Sequence, residues 1–166
     1  MSDNRAMPAL APRLLHPTQE MALRPMHACD LDAVVLLEQQ VYPHPWTRGN
    51  FADALAAGYH AQCVHQDGEL WAYVVAMAGV QEAHLLNITV ARHLQGQGHG
   101  HHLWQHLCAW AAQMGAESMW LEVRRSNAAA RDIYTHWGFE TVGERKNYYP
   151  AGRGQREDAV VMGLTL

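Results

Sequence analysis

The chain has 166 residues, of which 49% are hydrophobic and 17% charged, and its formal net charge is −4. That length supplies one domain with a proper core and is short for two ordinary domains. The apolar fraction and six tryptophans exclude a wholly disordered chain, and no apolar run approaches membrane-spanning length. The acidic balance argues against a broad nucleic-acid footprint but suits a basic peptide partner.

Residues 1–19 show scattered polar residues, prolines and no period. They read as a poorly ordered extension ahead of a single domain over residues 20–166, and they lack the apolar core of a secretory signal. Residues 21–26 form a strand candidate. Asp30 can cap a helix running to about Gln40, with Leu31, Val34 and Val35 on one face. Tyr42-Pro43-His44-Pro45 must break that helix. Thr47 can cap a second helix, which ends near Gly58. Residues 59–65 and 70–78 flank Asp67-Gly68 as an antiparallel hairpin, and residues 83–90 make a third strand. After Gly100 the spacing of Leu103, Leu107, Trp110, Ala111 and Met114 becomes helical. A buried strand over 118–123 and a helix over 127–137 follow. Strands over 139–143 and 158–164 close the chain, joined by a long loop through Tyr148-Tyr149-Pro150. The order β-α-α-β-β-β-α-β-α-β-β predicts an α+β fold, a mostly antiparallel sheet with helices on its faces.

Twelve histidines are many for this length. Half-protonating them would reverse the sign of the net charge. Cys29, Cys63 and Cys108 are odd in number and far apart, with no CxxC pair. They indicate neither a disulfide framework nor a cysteine zinc site, and a reducing, cytoplasmic compartment is expected. His102 and His106 stand four apart on one helix face, a usable ligand spacing. No nearby cysteine or carboxylate completes a set, so no metal is expected.

The strongest local signal is Gln95-Gly96-Gln97-Gly98-His99-Gly100, after a strand and before a helix. Glycines let the backbone approach a ligand, and amides at a helix start cradle phosphate oxygens. A P-loop would need Gly-Lys-Ser/Thr. A dinucleotide fingerprint begun at Gly96 would need a small residue where His101 stands. Glu122 lies inside the apolar stretch Met119-Trp120-Leu121-Glu122-Val123, where an unpaired charge is costly, so it reads as a site residue. Tyr134 shares a helix face with Ala130, Ile133 and Trp137, and by that pattern alone it reads as core. Asn127 reads as a helix cap.

Gln95-x-x-Gly98-x-Gly100 resembles the acetyl-CoA loop of the GCN5-related N-acetyltransferase (GNAT) family, and the resemblance covers about residues 20–166. Asn87-Ile88-Thr89-Val90, Trp120-Leu121-Glu122-Val123-Arg124, Ser126-Asn127-Ala128-Ala129-Ala130, Tyr134, Gly138-Phe139 and Asn147-Tyr148-Tyr149-Pro150 are similar to its RimI-type branch, the bacterial ribosomal-protein-alanine N-acetyltransferases. Pro45-Trp46-Thr47 followed by Phe51 is similar to the same branch.

The resemblance implies a GNAT fold that takes acetyl-CoA as co-substrate and acetylates a protein N-terminal amine. The N-terminal alanine of the basic ribosomal small-subunit protein eighteen is the favoured acceptor, without metal, membrane or direct nucleic-acid contact. It implies that Ile88, Thr89 and Val90 pair with the pantetheine arm, and that Gln95, Gly96, Gln97, Gly98, His99, Gly100 and His101 hold the pyrophosphate. By the same carry-over Asn127 bonds CoA, Glu122 is the general base, Tyr134 the general acid, and Trp46, Tyr148 and Tyr149 line the peptide groove; for Trp46 plain packing reads equally well. The family usually has arginines around this loop, where Gly96, Gln97, His99 and His101 stand here, so CoA affinity is expected to weaken as pH rises through the histidine range. Nothing around Cys63 or Cys108 suggests a lowered pKa, and direct transfer is expected rather than an acetyl-cysteine. The rival readings are a GNAT enzyme for lysine or small-molecule amines, a non-catalytic CoA-binding module, and a histidine metal-binding protein.

Overall fold

The computed structural model describes residues 22–166; the expected extension over residues 1–19 lies outside them. Seven strands and four helices follow the predicted order: β1 (Leu23–Pro25), α1 (Leu31–Val41), α2 (Arg48–Ala56), β2 (His60–Gln66), β3 (Glu69–Ala78), β4 (Glu82–Val90), α3 (His99–Gln113), β5 (Ser118–Arg124), α4 (Ala128–His136), β6 (Glu140–Gly152) and β7 (Gln155–Thr165). They build one sheet of order β1-β2-β3-β4-β5-β7-β6. The β4–β5 pair is parallel and the other neighbours are antiparallel.

β3 shows how the sheet divides the core. Tyr73 and Val75 face one cluster with Leu31, Val34, Leu37 and Phe51 of α1 and α2. Val74 and Ala76 face the other, with Trp104, Leu107 and Ala111 of α3. Successive strand side chains point to opposite faces, so a strand covered on both sides reads as a continuous apolar run. Tyr134 and Trp137 of α4 pack on the α3 side.

The caps follow from side-chain chemistry. Thr47 Oγ1 accepts from the Asn50 amide at 3.2 Å and starts α2. Asn127 Oδ1 accepts from the Ala130 amide at 3.2 Å and starts α4. Asp30 stands at the N-cap of α1, but its carboxylate turns away from the helix. It accepts from Arg24 at 2.9 and 2.7 Å and from the His27 amide at 2.8 Å, so it closes a 3₁₀ turn over Ala28–Asp30.

The expected long loop through Tyr148-Tyr149-Pro150 is instead strand. β6 runs unbroken to Gly152 and pairs with β7 as a hairpin. Its register slips between Arg145 and Tyr149, where Asn147 has φ +50°. β6 is an edge strand exposed along most of its length, so it carries no apolar alternation to announce it. Pro150 is tolerated because an edge strand need not donate on its outer side.

Arg24 holds the buried Asp30 carboxyl well below the usual carboxylate range, chiefly through its hydrogen bonds. That stabilisation is complete above an unfolded-state value of about 4 and is lost as pH falls through the lower folded value. Asp30→Asn should cost about 2 kcal/mol at pH 7, read as a lower urea midpoint. The gap to wild type should narrow on acidification below about pH 4.

Candidate active site

β4 and β5 pair only from Glu82–Ser118 to Leu85–Leu121. On its other side β4 keeps pace with β3 except at one place: Val75 opposes Asn87 and Ala76 opposes Leu85, leaving Leu86 as an extra residue. Such a bulge bends and twists its strand, and beyond it β4 and β5 part. The Ala91 amide bonds Trp71 C=O at 2.8 Å. Backbone groups alternate sides along a strand, so Thr89 also faces β3 while Ile88 and Val90 face the gap. Two side chains reach those carbonyls: Tyr42 hydroxyl donates to Ile88 at 3.0 Å and Gln95 Nε2 to Val90 at 2.9 Å. Thr89 is buried, with its hydroxyl 2.9 Å from Asn87 Oδ1 and 3.1 Å from Tyr42.

The glycine loop enters α3 through Gly96 (φ +73°) and Gly98 (φ +88°), a region that side chains with a Cβ avoid. The amides of His99, Gly100 and His101 precede the first helical hydrogen bond, from His102 N–H to Gly98 C=O at 3.1 Å. They form the donor end of a 15-residue helix. Gln95, Gly96 and Gly100 line a cleft of about 530 Å³. The side chains of Gln97, His99 and His101 do not: Gln97 bonds His93 C=O, and the two imidazoles lie near Trp71 and Trp137.

A second cleft, of about 580 Å³, opens on the other side of the gap and is lined by Trp46, Glu122 and Tyr149. The two clefts share Tyr42, Ile88, Arg124, Asn127 and Tyr134. Glu122 is the first β5 residue past the last β4 pairing. Its Oε1 lies 2.8 Å from Arg145 Nε, it hydrogen-bonds Tyr148, and its backbone carbonyl accepts from Tyr149 hydroxyl at 3.0 Å. Burial pushes Tyr149 up to about 12, with the Glu122 charge adding to it. Burial also raises Tyr134, which packs against Trp137 and Phe139. A phenol so placed stays protonated at neutral pH. Trp46 lines the second cleft and packs on Phe51 with ring centroids 5.2 Å apart. Tyr148 is exposed and joins the site through Glu122 and the Arg145 guanidinium over its ring.

Tyr42, Arg124 and Arg145 also belong to this site, and the sequence pattern did not single them out. Arg124 donates to Pro150 C=O at 2.9 Å and lies 4.5 Å from the Tyr149 ring centre. Arg145 was hidden by the expected loop. For metals, Asp30, Cys63 and His65 bring ligand atoms within 4.8 Å of one another, but the Arg24 guanidinium already takes both Asp30 oxygens. The His102 and His106 rings lie 4.7 Å apart, and among the described residues no third ligand joins them.

This fold and its sequence are similar to those of known proteins. The acetyltransferase (GNAT) family matches residues 31–139, and this chain belongs to that family. It is 37% identical over 141 residues to the ribosomal protein bS18-alanine N-acetyltransferase of Escherichia coli (strain K12), covering 85% of this chain and 95% of that one. It is 35% identical to the enzyme of the same name from Haemophilus influenzae, covering 85% and 96%. The crystal structure of the ribosomal-protein-S18-alanine N-acetyltransferase from Escherichia coli superposes with a TM-score of 0.77 at 35% identity, covering 87% of this chain and 92% of that one. The α+β GNAT fold and N-acetyltransferase class expected from the sequence are thereby borne out. No helix among the described residues is long and apolar enough to cross a membrane.

Burial pushes the Cys63 and Cys108 thiols up to about 11, whereas Cys29 is exposed. A thiol reagent at pH 8 should therefore modify Cys29 in the native protein and reach the other two only after denaturation. Mass spectrometry of the labelled peptides checks this. Fast labelling of Cys63 or Cys108 would reopen the acetyl-cysteine route.

Proposed function

We propose that this protein transfers acetyl from acetyl-CoA to the N-terminal α-amine of a protein, with the N-terminal alanine of ribosomal protein S18 as the favoured acceptor. The observation that carries the reading is the meeting of two clefts at the β4–β5 gap, with the glycine loop on one and Glu122 on the other. The close relatives named for bS18-alanine acetylation support the choice of acceptor.

The chain's own groups divide the work as follows. The amides of the glycine loop and α3 start hold the pyrophosphate, and Asn127 adds a polar contact. The gap-facing backbone of Ile88 and Val90 pairs with the pantetheine arm as a strand would. Of these groups, an amide of β4 stabilises the oxyanion as the thioester carbonyl becomes tetrahedral. Trp46, Tyr148 and Tyr149 flank the incoming peptide end. An α-amine has a pKa of about 8, so much of it is protonated at neutral pH. Glu122 takes that proton, directly or through a water, and the freed nitrogen attacks the thioester carbon. The C–S bond then breaks, and Tyr134 gives its proton to the leaving thiolate. The attacking nitrogen, which still carries one proton more than an amide, gives that proton to solvent, and Tyr134 recovers its own from Glu122, so the products are the amide, free CoA and one released proton.

The direct test measures CoA release from acetyl-CoA with a basic peptide beginning with alanine, beside a twin whose N-terminus is blocked. Release with the free peptide alone is expected; equal release with both, or none with either, sinks the reading. Glu122→Gln should lower turnover by at least ~100-fold while acetyl-CoA binding, read by calorimetry, stays unchanged. Gly98→Val forces a Cβ into φ +88° and should weaken acetyl-CoA binding by about 10-fold, through strain of about 1–2 kcal/mol.

A further inference from the structure

Glu38 is a buried carboxylate that the mechanism above does not use; it is 2% exposed. Three neutral donor groups converge on it. Trp46 N–H reaches Oε1 at 2.9 Å, Asn87 Nδ2 lies 3.3 Å from Oε1 and 3.2 Å from Oε2, and Tyr73 hydroxyl donates to Oε2. No Lys or Arg among the described residues pairs with it. A buried charge without a cation is costly, and an apolar side chain would pack α1 onto β3 more cheaply. Both oxygens are already occupied, so Glu38 is not placed to take a proton from an amine.

Its partners show what it holds. The segment after α1 contains Pro43 and Pro45, which have no N–H to anchor. Glu38 closes this segment at both ends: its backbone carbonyl accepts from Tyr42 N–H at 2.9 Å and its carboxylate accepts from Trp46 N–H. A further partner, Asn87, directly follows the Leu86 bulge and precedes Ile88, whose backbone faces the gap. We infer that Glu38 is a positioning residue that fixes the Trp46 wall of the second cleft to β4 beside the reacting gap. The anchoring follows from the hydrogen bonds; its service to a peptide amine rests on the function proposed above.

The test compares wild type with Glu38→Gln, which keeps the volume but sets an amide N–H against the Asn87 and Tyr73 donors. The expected result is a rise of at least ~10-fold in KM for the alanine peptide, with KM for acetyl-CoA within about 2-fold. Equal changes in both constants, or a lowered Tm with both constants unchanged, overturn the inference. If Glu38→Gln does not fold, Tyr73→Phe takes its place. It removes one donor and should raise the peptide KM by at least ~3-fold without moving that for acetyl-CoA; an unchanged peptide KM overturns the inference. Hydrogen exchange at the Trp46 amide reads the anchoring without any substrate. Protection in wild type that falls at least ~10-fold in the variant supports it, and equal exchange in both overturns it. A wild-type protein inactive on the peptide would therefore sink the proposed function and leave the anchoring to be decided by exchange.

Discussion

Parallel strands stay together only while their slanted hydrogen-bond ladder stays in register, and one residue, Leu86, ends that register here. β4 must match antiparallel β3 on one side and parallel β5 on the other. The bulge lets it recover its pairing with β3 at Asn87, while the pairing with β5 stops at Leu85 and Leu121. The gap is thus a property of backbone pairing. It leaves the polar groups of Ile88 and Val90 without a strand to bond, and buried backbone groups need partners. Side chains of Tyr42 and Gln95 meet the two carbonyls, but a side-chain hydroxyl or amide is a replaceable partner in a way that a strand is not.

Both walls of the gap depend on groups that would look misplaced if packing alone mattered. Arg124, mostly buried at the end of β5, is held by Pro150 C=O, the Tyr149 ring and Glu157. Glu157 also accepts from the Ser126 amide at 2.6 Å, which ties the start of α4 to β7. On the opposite wall Glu38 does the corresponding work for the segment after α1. A core of apolar contacts tolerates sliding, because dispersion is non-directional. Hydrogen bonds to charged groups are directional and strong, so they fix walls that an apolar core would only support.

Much of this was legible in the sequence, and the exceptions share a cause. The element order, the two helix caps at Thr47 and Asn127, and the glycine loop all follow from local chemistry, because caps and turns depend on residues within three or four positions. β6 was not legible beyond its first residues. An edge strand with both faces exposed has no alternation, and the slip near Asn147 breaks what pattern remains. Glu38 did leave a signal: it falls four residues after Val34 and seven after Leu31, on the apolar face of α1. A charge on that face points to a buried partner but cannot say which one, since Tyr73 and Asn87 lie on β3 and β4. Tyr42 reads as a helix terminator, and its hydroxyl's partner Ile88 lies 46 residues away.

The glycine loop completes the same logic with its charge. Arg92, in the turn between β4 and the loop, does not face the cleft. It donates to the carbonyls of Gln40 at 2.6 Å and Val41 at 3.1 Å, capping the C-terminus of α1. A cation is well placed there, since the last helical carbonyls lack intrahelical donors and carry the negative end of the helix dipole. The consequence is that the basic residue preceding the loop secures the end of α1, where Val41 lines the first cleft, while the free amides of that cleft's glycine loop stand at the start of α3. Amides carry no titratable proton in the neutral range and are fixed by the helix itself. The turn after β4 therefore joins two elements mechanically: displacing it would disturb the amides at the α3 start and the end of α1 together.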